Sequence, residues 1–446
     1  MSNEFANEII DYALFHKASG VEVYIENTER VVSTYDTASV STEHRIIEEG
    51  VGIRVFFSDH YIYLAFNDFD INEIFRVIKS IVKDRVRSIE QQHIYQYFAR
   101  NYDRPHDADR VPRTIPLLEQ ASQLYYNQSI IPRVRLRTIQ EFKGVEILNA
   151  DNNFRSKEHA YTRIHSTIFD SQQKLSHSMS GVSSTNVEVA TILDTIEKAI
   201  HYQTINSAKK VTLPPGSYPA VVGSGTGGIL LHEICGHPLE LQAVVNGHSV
   251  LKDKLNMKIA PETITIVDNP LYKKEWGSSL YDDEGNPTSN NVLIQNGVLR
   301  NYLCDRFNGS LSQILANGAA RRESYRYPPT ARMSNTYLLP GEHDFDFLFE
   351  GIVKGVYIKE LTEGAIDVAT GKYQAGIKEA FLIENGRIKD PITNQIVMGN
   401  ALETLENLNL VGNDLKLSKQ FCGAKSGRIP VSIGQPTVRY NFLTIR

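Results

Sequence analysis

YPAVVGSGTGGILLHEICGHPLE, residues 218–240, is the stretch from which the rest of the chain is read. An apolar run through Val222 predicts a short strand, the glycines that follow a turn, and the residues from near Gly227 to near His237 a helix. That helix carries His232, Glu233 and His237 in an HExxxH pattern. In the related HExxH arrangement, two histidines four apart share one helix face and hold a zinc ion. Here the spacing is five, which on an ideal α-helix turns the two rings about 140° apart. Gly236 and Pro238 flank the second histidine. Glycine tolerates unusual dihedrals, and proline removes a helical hydrogen bond and disfavours helix for the residue before it. A widened last turn, or π-type bulge, is therefore expected to swing His237 back beside His232. By spacing alone, the pattern reads equally well as a chance pair on a buried helix. Glu233 tips the reading toward a metal, because an unpaired carboxylate in an apolar helix is costly unless the site uses it.

Outward from this stretch, the second half reads as sheet. Asn296-Gly297 and Asn385-Gly386 each lie between apolar runs, and Asn-Gly is the pair that a two-residue hairpin with positive φ demands. A largely antiparallel, sheet-rich unit is expected. Upstream, INSAKKVTLPPGSYP, residues 205–219, lacks periodicity and carries three prolines, so a boundary is placed there, giving units 1–210 and 211–446. In the first unit, Phe5 to Leu14 repeat at helical spacing, and Val21, Val23 and Ile25, like Val51, Ile53, Val55 and Phe57, alternate as half-buried strands do. Ile71, Ile74, Phe75, Ile78, Ile81 and Val82 mark a helix behind Asp70, an N-cap with Glu73 three residues on. RVRLRTI at 133–139, GVEIL at 144–148 and YTRIHSTIF at 161–169 predict further strands, and a helix follows over Ala190–Tyr202. The fold class is α+β: a mixed helix and antiparallel-sheet domain, then a sheet-rich one.

Composition narrows the function. The chain has 446 residues, more than one hydrophobic core comfortably serves. A formal charge of -5 without any long basic run excludes the usual footprint for nucleic acid. The first residues, MSNEFANEIIDYALF, carry no basic leader, and no apolar stretch is long enough to cross a bilayer, so a cytoplasmic location is expected. Three cysteines, Cys235, Cys304 and Cys422, are too few for a disulfide framework.

Further segments accompany the motif: YDDEGNPT at 281–288, LIQNGVLRNYLCDR at 293–306, RRESY at 321–325, NTYLLPGEH at 335–343, EAFLIENGRI at 379–388, VGNDLKL at 411–417 and CGAKSGRIPVSIGQPTVRYNFLTI at 422–445. In this order, together with GGILLHEICGHPLE, they resemble the TldD branch of the TldD/PmbA peptidases over nearly the whole chain. The resemblance implies a zinc metallopeptidase with His232, His237 and Cys422 as ligands and Glu233 as catalytic base. It also implies extended or unfolded peptide substrates, leader peptides among them, and a dimer with a homologous TldE/PmbA-type subunit or with itself. HPLE departs from the glycine usual after the second histidine. A thiolate is a strong zinc ligand, and Gly423 permits close approach beside Cys422. Cys235 and Cys304 read as packing.

Two other functions compete. Gly223, Gly225 and Gly228 satisfy the GxGxxG of dinucleotide binding, but LQAVVNGHSVLKDK, residues 241–254, supplies no clean second strand. A non-catalytic subunit that shapes a chamber for another peptidase is the second rival, and retention of Glu233 argues against it. Asp282, Asp283 and Glu284 read as a solvated turn, with a second cation or a substrate amine as the alternative. Arg321 and Arg322 read as structural partners of Glu323, with a substrate carboxylate as the alternative.

Overall fold

The computed structural model describes residues 2–57, 60–84, 94–98, 110–126, 133–151, 153–170, 172, 174–393 and 395–446. The first half begins with helix α1 (Ser2–Phe15), strands β1 (Gly20–Asp36), β2 (Ser39–Phe56) and β3 (Tyr61–Phe66), and helix α2 (Ile71–Asp84). Strand β4 (Ile94–Phe98), helix α3 (Ile115–Tyr126), strands β5 (Arg133–Asn149), β6 (Phe154–Phe169) and β7 (Leu175–Val182), and helix α4 (Val189–Ser207) follow. The strands make one sheet, ordered β4-β3-β2-β1-β5-β6-β7 and antiparallel except for β3 with β4. Helix α2 starts as its sequence demands, with Asp70 Oδ1 accepting the backbone N–H groups of Asn72 and Glu73 at 3.1 and 3.2 Å. Ile74 and Ile78 bury against the α1 and sheet core that holds Ile9, Ile53 and Leu64. Each such side chain contributes roughly 1.5–3 kcal/mol.

Two expectations change here. The segments 133–139 and 144–148 are one continuous strand, β5, and not two. The start of β1 is buried on both faces: Val21 and Val23 face the helices, while Tyr24 packs with Tyr63, Phe307 and Tyr325. The second half of the chain covers the face that alternation assigns to water.

That half opens with β8 (Gly216–Val222) and the one-turn helix α5 (Gly228–Leu231), followed by the residues of the motif and helix α6 (Leu241–Val245). Strands β9 (Ile266–Asp268), β10 (Asn291–Gln295) and β11 (Val298–Leu299), helix α7 (Arg306–Ser312), and strands β12 (Ala320–Arg321), β13 (Thr330–Ala331) and β14 (Asn335–Leu338) come next. The chain ends with β15 (Lys354–Ile366), β16 (Lys372–Glu384), β17 (Arg387–Pro391), β18 (Ile396–Asn400), helix α8 (Ala401–Asn407), β19 (Leu408–Val411), β20 (Lys416–Ala424), β21 (Gly427–Gln435) and β22 (Val438–Ile445). Strands β15, β8, β22, β18 and β16 pair in that order, and β16 pairs back onto β15, so five strands close a ring. A second sheet runs β11-β10-β9-β14-β21-β20. Most pairs are antiparallel; β8 with β15 and β14 with β21 are parallel. Both Asn-Gly turns form, with φ of 50° and 77° at Asn296 and Gly297 and 48° and 73° at Asn385 and Gly386. The fold is thus mixed α/β and sheet-rich. Among the described residues, no helix is long and apolar enough to cross a membrane.

The dinucleotide reading fails on topology. Beside β8 lie β15, parallel, and β22, antiparallel, while the next strand in sequence, β9, belongs to the other sheet. The glycines serve the turn and its packing instead, with Gly225 at a φ of 76°. A Cβ on Gly228 would fall 2.6 Å from the backbone of Gly434, and one on Gly227 would fall 2.2 Å from the carbonyl oxygen of Gly223.

Candidate metal centre

After α5 the chain makes one turn of π-helix, His232–Gly236, and then a 3-10 turn, His237–Leu239. The N–H of His237 donates to the carbonyl of His232, a bond that spans five residues and stacks the second histidine over the first. The expected bulge is there, with Pro238 at the start of the next turn, where its missing N–H costs nothing. The role of Gly236 differs from expectation. Its dihedrals, φ -80° and ψ -71°, are ordinary for a helix, but a Cβ would fall 1.9 Å from the sulfur of Met333. Close approach of the Met333 side chain, not conformational freedom, is what the glycine serves.

The two imidazoles stand with ring centroids 5.1 Å apart and planes at 80°. Cys422, from β20, brings its sulfur to 3.3 Å from Nε2 of His237. One donor atom from each of His232, His237 and Cys422 lies within 4.8 Å of the others. Zinc–nitrogen and zinc–sulfur bonds of about 2.0 and 2.3 Å at a tetrahedral angle set a nitrogen-to-sulfur separation of roughly 3.5 Å. Two nitrogens and one sulfur are a donor set that suits zinc, and the 3.3 Å between Cys422 and His237 is close to that separation. Burial raises the Cys422 thiol, but His232 and His237 overcome it and hold the group well below its usual pKa, as a thiolate ligand needs. Burial lowers His237, whereas Cys422 and Glu240 together carry it well above the usual value.

Glu233 is buried beside this cluster, 8% exposed, and its carboxylate accepts no hydrogen bond from the described residues. Burial raises its pKa; the neighbouring imidazoles oppose that rise, and Cys422 and Glu240 add to it. Strand β15 closes over it, since a Cβ on Gly364 would sit 2.5 Å from Cγ of Glu233. Sequence reasoning missed two supporting residues. Glu240 Oε1 lies 3.1 Å from Nδ1 of His237, so a carboxylate orients that ring from behind. Arg332, fully buried, lies 3.5 Å from Glu240 and donates to the carbonyl of Cys422 at 2.7 Å, tying the helix terminus to β20. A glutamate three residues after His237 is a signal for the first; nothing local announces the second. His232 lacks such support: its Nδ1 is buried with no hydrogen-bond partner among the described residues.

The remaining candidates lie elsewhere. Cys235 is fully buried, donates to the carbonyl of Leu231 at 2.9 Å, and burial pushes its thiol up to about 12; Cys304 is buried likewise. Both pack, as expected. Asp282, Asp283 and Glu284 are not a solvated turn: all three are buried, Asp283 against Lys157 and Glu284 against Arg54 of the first-half sheet. Arg321 and Arg322 do not pair with Glu323 either. Arg321 donates to the carbonyls of Met333 and Pro430, and Arg322 to Glu22, Tyr63 and the carbonyl of Asp283. The packing of two halves, invisible in a local window, turned these charges inward.

Residues 215–446 match the family described as PmbA/TldA metallopeptidase C-terminal domain. The chain belongs to the PmbA/TldD metallopeptidase family. It is 38% identical over 251 residues, 56% of this chain and 52% of the other, to the metalloprotease TldD homolog of Buchnera aphidicola subsp. Acyrthosiphon pisum. It is 32% identical over 259 residues, 58% of this chain and 57% of the other, to the zinc metalloprotease TldD homolog of Saccharolobus solfataricus. The chain spans about half the length of the curated relatives it matches. In fold it is similar to TldE from Thermococcus kodakarensis, with a TM-score of 0.75, 16% identity and 99% of both chains covered.

Proposed function

We propose that this chain is a zinc-dependent peptidase that cleaves extended peptides, with residues 211–446 as the catalytic unit. The observation that carries this reading is the meeting of His232, His237 and Cys422 within 4.8 Å, beside a buried carboxylate that accepts no hydrogen bond from the described residues. Zinc, when held by those three residues, lowers the pKa of water and polarises a carbonyl. Glu233 accepts the proton of the attacking water and delivers it to the departing amine, a task that suits a carboxylate whose pKa burial has raised. Glu240 keeps the His237 ring oriented. Gly364 leaves room for the Glu233 side chain under β15.

The peptide reading draws on that same strand. Pairing of β15 with β8 ends at Ile358, yet β15 continues to Ile366, past Glu233. Beyond Ile358, this edge is not paired by any described strand, and an extended peptide adding there would lie along the base by main-chain hydrogen bonds, with little sequence selectivity. Unfolded segments and leader peptides are the substrates this suits. A homologous TldE-type subunit, or a second copy, would complete a chamber that admits only unfolded chains, and the proposed location is the cytoplasm. The rival is a subunit that shapes such a chamber without cutting.

Digestion of an unstructured peptide by the zinc-loaded chain, alone and with a TldE-type partner, decides between them. Cleavage by the wild type, and a loss of about a hundredfold or more in Glu233→Gln with zinc still bound, is expected. Equal rates would remove Glu233 as the base. Cys422→Ser should lose zinc; full occupancy in that variant would discard the third ligand.

A further inference from the structure

A cavity of about 670 Å³ lies between the first-half sheet and the second half, and the peptidase chemistry above makes no use of it. Strands β5 and β6 wall one side; residues 270–283, Arg321–Glu323 and the β20–β21 hairpin wall the other. Nine Lys or Arg side chains line it against four carboxylates, in a chain whose net charge is -5. Some of the cations are matched, as Arg30 is with Glu141 and Lys157 with Asp283, both at 2.7 Å. Arg163, Arg321, Lys273, Lys274 and Arg428 have no carboxylate partner among the described residues.

The arrangement inside is specific. The guanidinium groups of Arg163 and Arg428 converge on one ring, 4.6 and 5.1 Å from the centroid of Phe421. Three buried nitrogens of lining side chains, Nε of Arg163, Nε of Arg322 and Nε2 of His159, have no hydrogen-bond partner among the described residues. Burial lowers Arg163, and Arg428 and Arg30 add to that, against the pull of Tyr161 and Glu141. Burial and the adjacent Arg321, Lys157 and Lys143 hold His159 at about 4, so its ring is neutral at physiological pH. Arg163 and Arg321 are part-buried and Arg428, Lys273 and Lys274 stand exposed at the rim, so the cations outnumber the carboxylates from the wall to the mouth, an excess that an anion relieves. Side chains alternate along β20: Cys422 turns to His237 and Phe421 to the cavity. The cavity is therefore on the opposite face of β20 from the candidate metal centre, and Glu233 does not line it.

We propose that this cavity binds a small organic polyanion, a molecule bearing two or more carboxylate or phosphate groups. Its volume suits one such molecule. Arginine forks suit both kinds of group, by paired N–H donors.

Calorimetric titration of the full chain with citrate and, separately, with inorganic pyrophosphate tests this, since one probe carries carboxylates and the other phosphates. Acetate serves as the monoanion control. Saturable one-site binding of at least one polyanion is expected, weakening as sodium chloride rises. Arg163→Gln combined with Arg428→Gln should weaken it by about tenfold or more. Lys273→Gln combined with Lys274→Gln, at exposed positions on the wall, leaves the interior intact and should weaken it by about threefold. Melting curves without anion show that both double variants are folded. No saturable binding of either polyanion at low salt, affinities unchanged in both double variants, or binding of a tetraglutamate peptide alone would each overturn the proposal.

Discussion

Two clusters of charge are buried in this molecule, and they are finished differently. At the junction of the halves, Arg54 donates to Glu22 at 2.6 Å and to Glu284, Arg322 donates to Glu22 at 2.5 Å, and Lys157 meets Asp283 at 2.7 Å. Each of those three carboxylates faces a cation. At the motif, Glu233 has only the two imidazoles to offset its burial and accepts no hydrogen bond from the described residues, Cys422 lies against the same two rings, and Nδ1 of His232 has no partner among the described residues. The first cluster sets carboxylates against guanidinium and ammonium groups and holds the two halves together, while Nε and Nη1 of Arg54 and Nε of Arg322 have no hydrogen-bond partner among the described residues and burial raises Glu284 to about 7. The second leaves Glu233 and Nδ1 of His232 without hydrogen bonds from the described residues, an arrangement that supports the proposed metal and substrate site.

The sharpest way to break this contrast is to remove a cation from the junction. Arg54→Met leaves Glu22 and Glu284 buried with one partner fewer, and the expected loss of stability is about 3–5 kcal/mol, read from urea unfolding. A loss below about 1 kcal/mol would show that the junction is as open as the motif.

The sequence displayed the motif more fully than the junction, for a physical reason. The π-turn is a local event: Gly236, Pro238 and a spacing of five are all present within seven residues. The Asp70 cap and both Asn-Gly turns were legible on the same grounds. The junction pairs Arg322 with a glutamate 300 positions away, and no window contains both. Hence Asp282, Asp283 and Glu284 looked like a turn in water. Arg332 and Gly364 were hidden for the same reason, since each meets the motif from a distant strand or loop. Cys422 was reached only through family resemblance, because its partner His237 is 185 positions away.

Acid offers a second separation. Burial pushes the Asp283 carboxyl up, but Lys157 and Arg322 overcome it and hold it at about 2, below the ordinary 3.8. As pH falls the unfolded chain takes that proton first, so the contribution is complete above 3.8 and is lost between there and about 2. It amounts to about 2 kcal/mol. Asp283→Asn should therefore lose about 2 kcal/mol less than the wild type between pH 5 and the foot of that window. Parallel losses would mean that Lys157 and Arg322 do not hold the charged form.

Within the motif, Glu240 is the one carboxylate that behaves as those at the junction do, because it has a fixed task toward a ring. Glu240→Gln keeps the shape and weakens the orienting charge. Zinc affinity, measured by competition with a chelator, should fall by about tenfold while the fold persists. Unchanged affinity would leave His237 oriented by packing alone.

The smallest expected effect concerns Glu233 in chelator-treated protein. A buried carboxylate whose pKa burial raises despite the two imidazoles beside it opposes folding at neutral pH, and an amide of the same shape removes that opposition. Glu233→Gln should then melt at or slightly above the wild-type temperature, by no more than about 1 kcal/mol in stability. At the junction the same kind of neutralisation, Glu22→Gln, takes a partner from both Arg54 and Arg322 and lowers stability. If both variants lost stability alike, Glu233 would be a structural carboxylate like Glu22, and its place beside the three candidate ligands would have a packing explanation instead of a catalytic one.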